Sequence, residues 1–321
     1  MSGPSSAQEG ATNPGRLQPA QRVGGGRFVL LRRLGGGAAT VWLAKDEQGG
    51  PAVALKFPPP ELLADPEART QLRALVRRLA DWNHPNILQC IGWFETEPDR
   101  PFLALENAEG GNLYTLCRER DERAIPWPEL EPLAWQLCSA LAYAHSRRAL
   151  HGALHPANLL LTAEGRLKVT DFGLAALLHS AAPTQATAHL ERWASPQQRA
   201  GEMPRVSDDI YSLGATLDFL AGDGGPPLPA IPPEIVEAIA ECQAEDPADR
   251  PASVRDLMDR WGWGPDGVGG ARRPASGPNS LANQPIAALI RGFFRRRGVR
   301  RGLKFLAWLA GGYALWRYFS T

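Results

Sequence analysis

Cysteine is scarce in this sequence of 321 residues and shows no metal-binding or redox spacing. The four thiols are scattered along the chain: Cys90, Cys117, Cys138 and Cys242. This scatter argues against a disulfide framework, on which small secreted domains depend, and against a zinc site. We therefore expect core or surface thiols and a protein of a reducing compartment.

Acidic residues are absent from the end of the chain, where no Asp or Glu follows Asp266 while ten Lys and Arg do. Residues 1–266 carry 25 basic and 34 acidic side chains, a net charge of −9, and residues 267–321 carry +10. A basic tail on an acidic body indicates an anionic partner, either lipid or nucleic acid. No apolar run follows Met1 before residue 26, so we expect no secretory signal peptide.

Composition divides the chain into four parts. Residues 1–26 are rich in Gly, Ser, Pro and Gln and are predicted to be disordered. Residues 27–263 are predicted to form the folded domain. Residues 264–285 form a Pro/Gly/Ser/Asn linker, and residues 286–321 form a basic and hydrophobic tail.

The folded part begins with β-rich runs separated by Gly-rich turns, RFVLLRRL, TVWLAKD and AVALKF. Asp65 and Pro66 are typical of a helix start, and Leu72, Leu75 and Val76 follow at helical spacing. After two further strand patterns the chain is mostly helical. We predict an α+β fold with a small antiparallel β lobe containing one helix, a larger helical lobe, and a C-terminal basic and hydrophobic helix.

Several motifs occur in a fixed order, although each alone is a weak signal. They are LGGGAATVW (34–42), VALK (53–56), HGALHPAN (151–158), DFG (171–173), SPQQ (195–198), SDDIYSLG (207–214) and EDPADRP (245–251). The ordered set resembles the eukaryotic-type protein kinase domain, and most closely the bacterial serine/threonine kinases, from residue 28 to residue 262.

This resemblance implies a site for ATP and Mg²⁺ between the two lobes. Lys56 would neutralise the phosphates, and Asn158 and Asp171 would hold the metal. Asp209 matches the buried Asp that fixes the catalytic-loop backbone. The other implied nucleotide contacts are the phosphate turn Gly35, Gly36 and Gly37, the purine neighbours Val41, Ala54 and Leu160, and the connecting segment Leu105, Glu106, Asn107 and Ala108.

The catalytic loop departs from the family pattern H-R-D-L-K-P-x-N. Ala153 stands where the family has the Asp that accepts the substrate hydroxyl proton. His155 replaces the Lys that neutralises the transferring phosphoryl group, and Gly152 replaces the Arg that receives a phosphorylated activation loop. We expect no intact catalytic residue, only the base position Ala153 with His151 and His155 beside it.

Other positions depart from the pattern as well. Leu75 stands where the helix of the β lobe should offer a Glu to Lys56, and Glu67, the nearest alternative, lies roughly 12 Å earlier along the helix. Ala39 replaces the third glycine of the phosphate turn. Gln197 replaces a Glu, and we expect Arg250 to keep only a neutral partner.

These departures predict a pseudokinase with little or no protein phosphorylation and, at most, weak ATP binding. A positioned general base contributes about 10²- to 10⁴-fold, and here the positioning groups are altered too. One alternative is a weakly active or atypical serine/threonine kinase that uses Lys56, Asn158 and Asp171. His155 is a poor candidate for a substitute base, because it comes from the Lys position of the pattern. Another is an interaction module whose cleft is filled by its own side chains.

The tail combines seven basic residues between Arg291 and Lys304 with an uninterrupted apolar run of 12 residues, 305–316. That run spans roughly 18 Å as a helix, and residues 303–319 span about 25 Å, against a hydrocarbon core of about 30 Å. The basic cluster precedes the apolar run, which indicates a single anchor with the body on the cytoplasmic side. A helix docked on the body and a nucleic-acid-binding stretch are the alternatives; few aromatic residues accompany the arginines, which disfavours nucleic acid. The sequence does not identify the protein partner.

Overall fold

The computed structural model describes residues 17–36, 39–96, 100–119, 124–174, 177, 191–222 and 231–263. These residues form two compact units. The first contains the described residues up to Pro59 together with Ile91–Asn107, and the second contains Pro60–Cys90 and the described residues from Ala108 onward. The helix Pro66–Ala80, which was expected in the β lobe, belongs by its contacts to the second unit.

Among the described residues, the larger sheet contains the strands β1 (Arg22–Val23), β2 (Phe28–Gly36), β3 (Thr40–Asp46), β4 (Val53–Phe57), β5 (Cys90–Phe94) and β6 (Phe102–Glu106). Their order across the sheet is β1-β2-β3-β4-β6-β5. The pairs from β1 through β4 to β6 are antiparallel. One face of this sheet buries an aromatic and aliphatic core that includes Phe28, Trp42, Leu55, Phe57 and Phe102.

Strand β1 corrects the predicted amino-terminal boundary. Arg22 and Val23 pair with Val29 and Phe28, and Val23 is buried, although the sequence pattern predicted disorder up to residue 26. The glycines at 24–26 all have positive φ, between 66° and 87°. They form the turn between two paired strands, a conformation that favours glycine. Composition alone made this turn resemble part of a disordered segment.

The helical unit contains α1 (Pro60–Ala64), α2 (Pro66–Ala80), α3 (Leu113–Arg118), α4 (Trp127–Ser146), α5 (Pro196–Arg199), α6 (Val206–Ala221), α7 (Pro233–Cys242) and α8 (Val254–Arg260). A short hairpin of β7 (Leu159–Leu161) and β8 (Leu167–Val169) follows the 3₁₀ turn Pro156–Asn158.

The predicted helix start at Asp65 is confirmed, because the Asp65 carboxylate accepts a hydrogen bond from the Glu67 amide at 2.9 Å and Pro66 opens α2. Leu72, Leu75 and Val76 are buried as the spacing predicts. The apolar core of the second unit is built from α3, α4, α6, α7 and α8 among other elements, and Leu79 of α2 packs against it.

No helix within the described ranges combines the length and apolar character needed to cross a bilayer. The linker predicted at 264–285, the tail predicted at 286–321, and residues 1–16 of the segment predicted to be disordered lie outside the described residues. All four cysteines are buried thiols outside any disulfide.

Candidate functional site

Four of the residues implied to contact the nucleotide share one face of the sheet. Val41 lies opposite Lys56, and Ala54 lies opposite Leu105. Because side chains alternate along a strand, these four point away from the face that carries Leu55 and the core of the sheet. Ala54 and Leu105 are buried, whereas Val41 and Lys56 are half-buried.

The glycine turn joins β2 to β3. Gly35 pairs with Val41 and Gly36 with Thr40, so three residues, 37–39, connect the strands. Gly35 is exposed, and an added Cβ atom there would meet nothing within 4 Å. Gly37 lies outside the described residues.

The remaining implied contacts lie on other elements. Glu106 ends β6 and is half-buried, as are Asn107 and Ala108, which follow it. Leu160, also half-buried, occupies the middle of β7 in the helical unit.

Asp209 fixes the backbone of the loop that begins at His151. Its carboxylate accepts hydrogen bonds from the backbone amides of His151 and Gly152, both at 2.8 Å. The His145 Nε2 atom lies 2.8 Å from the same carboxylate. Asp209 is 1 % exposed, so these short contacts are shielded from water. The backbone thus has the anchoring that the resemblance implied, and His145 is a contributor that the sequence interpretation missed.

Ala153 brings no acid–base group to this loop. Its carbonyl oxygen accepts a hydrogen bond from the Asn158 side-chain amide at 3.1 Å. The contact holds residues 153 and 158 together, so the loop keeps its local shape while position 153 offers only a methyl group.

His155 is engaged in local structure. Its Nδ1 atom accepts a hydrogen bond from the Ala157 amide at 3.3 Å, which caps the 3₁₀ turn Pro156–Asn158. Its ring lies 5.6 Å from the Trp193 ring at an interplanar angle of 38°. Both contacts hold the imidazole against the protein and reduce its freedom to act as a mobile base.

His151 is completely buried beside Phe172, with ring centroids 4.8 Å apart. Burial lowers the pKa of His151, and the charges of Asp209 and Asp171 oppose that effect more weakly. The Ala153 amide donates to its Nδ1 atom at 3.4 Å. His151 is therefore a buried packing residue whose surroundings favour the neutral imidazole.

The Asp171-Phe172-Gly173 segment is held by packing of the Phe172 ring and by a backbone hydrogen bond of Gly173. The Phe172 ring lies 5.4 Å from the Trp82 ring and is 2 % exposed. The Gly173 amide donates to the His151 carbonyl at 3.1 Å. Asp171 has φ +69°, a left-handed conformation that is uncommon outside glycine. Such outliers are concentrated at functional sites.

Asn158 and Asp171 fit a magnesium ion by the chemistry of their donor atoms. The Asn158 NH₂ group donates to Ala153, so the carboxamide oxygen is the atom that can ligate a cation. Asp171 is half-buried, and its Oδ1 atom accepts a hydrogen bond from Thr170 at 3.2 Å. Mg²⁺ prefers oxygen ligands and is usually held by one or two side chains of this kind.

Leu75 occupies the position where the family pattern has a Glu. It is 8 % exposed, and a Cβ atom added to Gly173 would lie 3.1 Å from its Cδ1 atom. Glu67 lies in the first turn of α2, where it is exposed and accepts a hydrogen bond from Gln71 at 3.1 Å. An apolar side chain, and not a carboxylate, therefore meets the Asp-Phe-Gly segment.

The expectation that Arg250 keeps only a neutral partner is wrong. Its Nη2 atom does donate to the Gln197 carboxamide at 2.7 Å. Its Nη1 atom also lies 3.7 Å from Oδ1 of the Asp208 carboxylate, which is 2 % exposed. The extra acidic residue in SDDIYSLG, next to Asp209, was the available sequence signal.

Comparison with known proteins agrees with this geometry. The family model described as "Protein kinase domain" matches residues 28–254. The serine/threonine-protein kinase PknA of Mycobacterium tuberculosis (strain ATCC 25618 / H37Rv) is 31% identical over 252 residues, which cover 70% of this chain and 58% of PknA. PrkC of Bacillus subtilis (strain 168) is 30% identical over 258 residues, covering 72% of this chain and 39% of PrkC.

Solved structures agree as well. A doubly substituted kinase domain of Mycobacterium tuberculosis PknI matches with a TM-score of 0.61 and 25% identity, covering 76% of this chain and 98% of that domain. The fold is therefore the protein kinase fold, with a curled antiparallel sheet as its amino-terminal lobe and a helical carboxy-terminal lobe. This chain belongs to the protein kinase domain family, and its homologues include bacterial serine/threonine kinases. It spans a little over half of PknA and less than half of PrkC.

Proposed function

We propose that this chain is a pseudokinase that transfers little or no phosphate to proteins and acts by binding, as a regulator or scaffold at a membrane. The observation that carries the proposal is the loop around Ala153. Asp209 anchors the loop backbone, yet Ala153 has no group that can take a proton. The two neighbouring imidazoles are committed elsewhere, His151 to the buried core and His155 to Trp193.

The α2 helix supports the same conclusion. Phosphoryl transfer depends mainly on positioning and on charge stabilisation, and a positioned base adds about 10²- to 10⁴-fold. Leu75 stands at the sequence position where the family has the Glu that orients Lys56, so a positioning group is missing together with the base. Losses of groups that act as a unit are not additive, and restoring one of them recovers little.

Weak binding of ATP is the second part of the proposal. Protein kinases use ATP and Mg²⁺, and Lys56, Asn158 and Asp171 keep the side chains suited to phosphate and metal. A bound Mg²⁺ would neutralise phosphate charge, held by Asn158 and Asp171. The sheet face with Val41, Ala54 and Leu105 offers apolar surface to a purine.

A nucleotide-binding titration tests the proposal. We expect weak binding of ATP that strengthens with Mg²⁺. Because Asp171→Ala removes a metal ligand, it should weaken the binding of Mg-ATP and leave the affinity that comes from the purine nearly unchanged. Equal affinity for ATP and adenosine would contradict the assigned roles of phosphate and metal. No binding of any nucleotide, with or without Mg²⁺, would favour an interaction module that does not use nucleotide.

A weakly active or atypical serine/threonine kinase is the second candidate. Retention of Asn158 and Asp171, within a family that includes PknA and PrkC, favours it. It requires phosphate transfer that depends on Mg-ATP and disappears on Asp171→Ala. The pseudokinase proposal requires no such transfer above background.

The membrane part of the proposal is supported by the tail sequence. Seven basic residues between Arg291 and Lys304 precede an apolar segment, an order that would place the kinase domain on the cytoplasmic face. The proposed partners are anionic lipid for the tail and an as yet unidentified protein for the domain. Nucleic acid is disfavoured.

A further inference from the structure

Arg250 is a buried cation surrounded mostly by neutral acceptors. Its side chain is 0% exposed. Its Nε atom donates to the Ala244 carbonyl at 2.8 Å and its Nη1 atom to the Ser207 carbonyl at 3.0 Å. Its Nη2 atom donates to Gln197 and to the Glu245 carbonyl. A buried charge with hydrogen bonds but no counter-charge is costly, so the nearest carboxylate matters.

Asp208 provides that counter-charge. Its Oδ1 atom lies 3.7 Å from the Arg250 guanidinium and accepts a hydrogen bond from the Ser195 hydroxyl at 2.6 Å. Its Oδ2 atom accepts from the Arg205 amide at 2.7 Å, at the start of α6. Burial lowers the pKa of Arg250, and the Asp208 carboxylate is the strongest of the charges that oppose this effect.

The contacts of Ser195 extend from Asp208 to the catalytic-loop position. The Ser195 hydroxyl accepts from the Gln198 amide, and the Gln198 carboxamide oxygen accepts from the Ser195 amide, both at 3.0 Å. The Gln198 Nε2 atom donates to the Gly152 carbonyl at 2.9 Å. Gly152 in turn donates to Asp209. This chain of hydrogen bonds runs from Ser195 through Gln198 to Gly152. Two adjacent carboxylates on α6 hold its ends, Asp208 at Ser195 and Asp209 at Gly152.

We propose that Asp208 is a positioning residue that replaces the carboxylate missing at position 197. It balances Arg250, holds the amino terminus of α5 through Ser195, and thereby fixes Gln198 against the loop at Gly152. This arrangement is built from groups of the helical unit and needs no phosphate-receiving arginine at position 152. It holds equally for a pseudokinase and for a weakly active kinase, so its test is independent of the proposed function.

The test is a rescue experiment with four versions of the full chain: wild type, Asp208→Asn, Gln197→Glu, and the double variant. Asp208→Asn keeps the side-chain shape and removes the charge. We expect it to lower Tm by on the order of 10 °C, because it leaves Arg250 buried and unpaired. In that background, Gln197→Glu places a carboxylate within reach of Arg250 and should recover at least about half of the loss.

Hydrogen exchange reports the positioning role separately from stability. The Gln198 and Gly152 amides should lose about tenfold or more of their protection in Asp208→Asn, more than amides of α4 lose. Gln197→Glu supplies a charge beside Arg250 but not the contact with Ser195, so the double variant should regain Tm more fully than this protection. A uniform loss across the helical unit would show a structural role only.

Ser212→Ala is the matched control. It removes a buried hydrogen bond of 2.7 Å from the Ser212 hydroxyl to the Trp193 carbonyl. Ser212 lies on α6, as Asp208 does, and Trp193 lies two residues before Ser195, so the control removes a similar contact between the same two segments. It should lower Tm without any rescue by Gln197→Glu. If Gln197→Glu shifts Tm equally in the wild-type and Asp208→Asn backgrounds, the proposal is overturned. If Asp208→Asn does not fold, folding of the double variant supports the proposal, and its failure to fold refutes it.

Discussion

Leu75 packs directly on Gly173, so closely that a side chain at position 173 would meet the leucine methyl groups. An added Cβ atom would lie 3.1 Å from Leu75 Cδ1 and 3.5 Å from Cδ2. Gly173 also has φ +71°, so two constraints favour glycine there. The contact shows that the helix and the Asp-Phe-Gly segment are fitted to each other through apolar packing, and this affects any attempt to restore catalysis.

Restoring the missing base alone should recover little activity. Ala153→Asp supplies a carboxylate, but His155 and Leu75 remain at the positions of the family's Lys and Glu. We expect phosphorylation of generic protein substrates to stay within about tenfold of background, since the groups act as a unit. The measurement is transfer of labelled γ-phosphate from Mg-ATP, with Asp171→Ala as the blank. Robust transfer by the wild-type chain would refute the pseudokinase proposal.

Leu75→Glu should destabilise the protein and should not activate it. The substitution removes a buried apolar contact and places a carboxylate against Gly173, which we expect to cost about 3 kcal/mol in free energy of unfolding. Leu75→Met is the matched control, because it conserves volume and should cost less than about 1.5 kcal/mol. Urea unfolding of both variants measures the difference. Equal stability of the two would show that position 75 accommodates a carboxylate.

Any side chain at position 152 should lower the stability of the protein. Its φ is +79°, and the space around an added Cβ atom is open, so only the backbone conformation opposes substitution. Gly152→Ala should therefore lower the free energy of unfolding by about 1–2 kcal/mol. Gly35→Ala is the control, because its Cβ also meets nothing and its φ lies outside the left-handed range. A neutral effect of Gly152→Ala would mean that the loop changes its backbone conformation.

Much of the fold could be predicted because local signals agreed with the tertiary structure. The cap at Asp65 and the spacing of Leu72 and Leu75 fixed α2 correctly. The strand β1 at Arg22–Val23 could not be found in this way, because it forms by pairing with β2 and the adjacent glycines resembled a disordered segment. The helix α3 was missed as well, since six residues carry too little periodicity.

The sequence could assign residues to the candidate site by motif spacing, but it could not predict their contacts. The ordered motifs assign Ala153, Asn158 and Asp171 to the candidate site, because spacing is a property of the sequence. That Asp208 faces Arg250, and that Gln198 reaches the Gly152 carbonyl, depends on contacts between residues 42 to 46 positions apart. Such contacts follow from tertiary packing, which no local pattern encodes.

Stability should fall as the solution becomes mildly acidic because of His151. Burial keeps the folded pKa of His151 below its ordinary value, whereas the unfolded chain protonates it near pH 6.5. Below about pH 6.5 unfolding therefore takes up a proton, and the free energy of unfolding drops by up to about 1.4 kcal/mol per pH unit until the folded His151 itself protonates. Above that pH this contribution is fully present. His84, whose pKa is lowered by burial and by Lys168, acts in the same direction.

The variant His151→Phe isolates this effect, since it removes the titrating group and keeps an aromatic ring beside Phe172. Urea unfolding at pH 7.5 and pH 5.5 should give a smaller pH difference for the variant than for wild type, by about 1 kcal/mol. His84→Gln is the comparison, because it removes the other imidazole with a lowered pKa. An unchanged pH difference in His151→Phe would show that His151 does not remain neutral in the folded protein.

The tail should hold the full chain on membranes by insertion and not by charge alone. Basic residues near an anionic surface contribute about 1 kcal/mol each, and salt screens that attraction. Apolar burial, on the order of 25 cal/mol per Å², is not weakened by salt. We therefore expect the full chain to pellet with vesicles containing anionic lipid and to remain bound after a high-salt wash, whereas a chain ending at Asp266 stays in the supernatant. Release in high salt would indicate surface attraction by the seven basic residues between Arg291 and Lys304. A full chain that stays soluble without detergent and never pellets would refute the anchor and favour packing of the tail on the kinase domain.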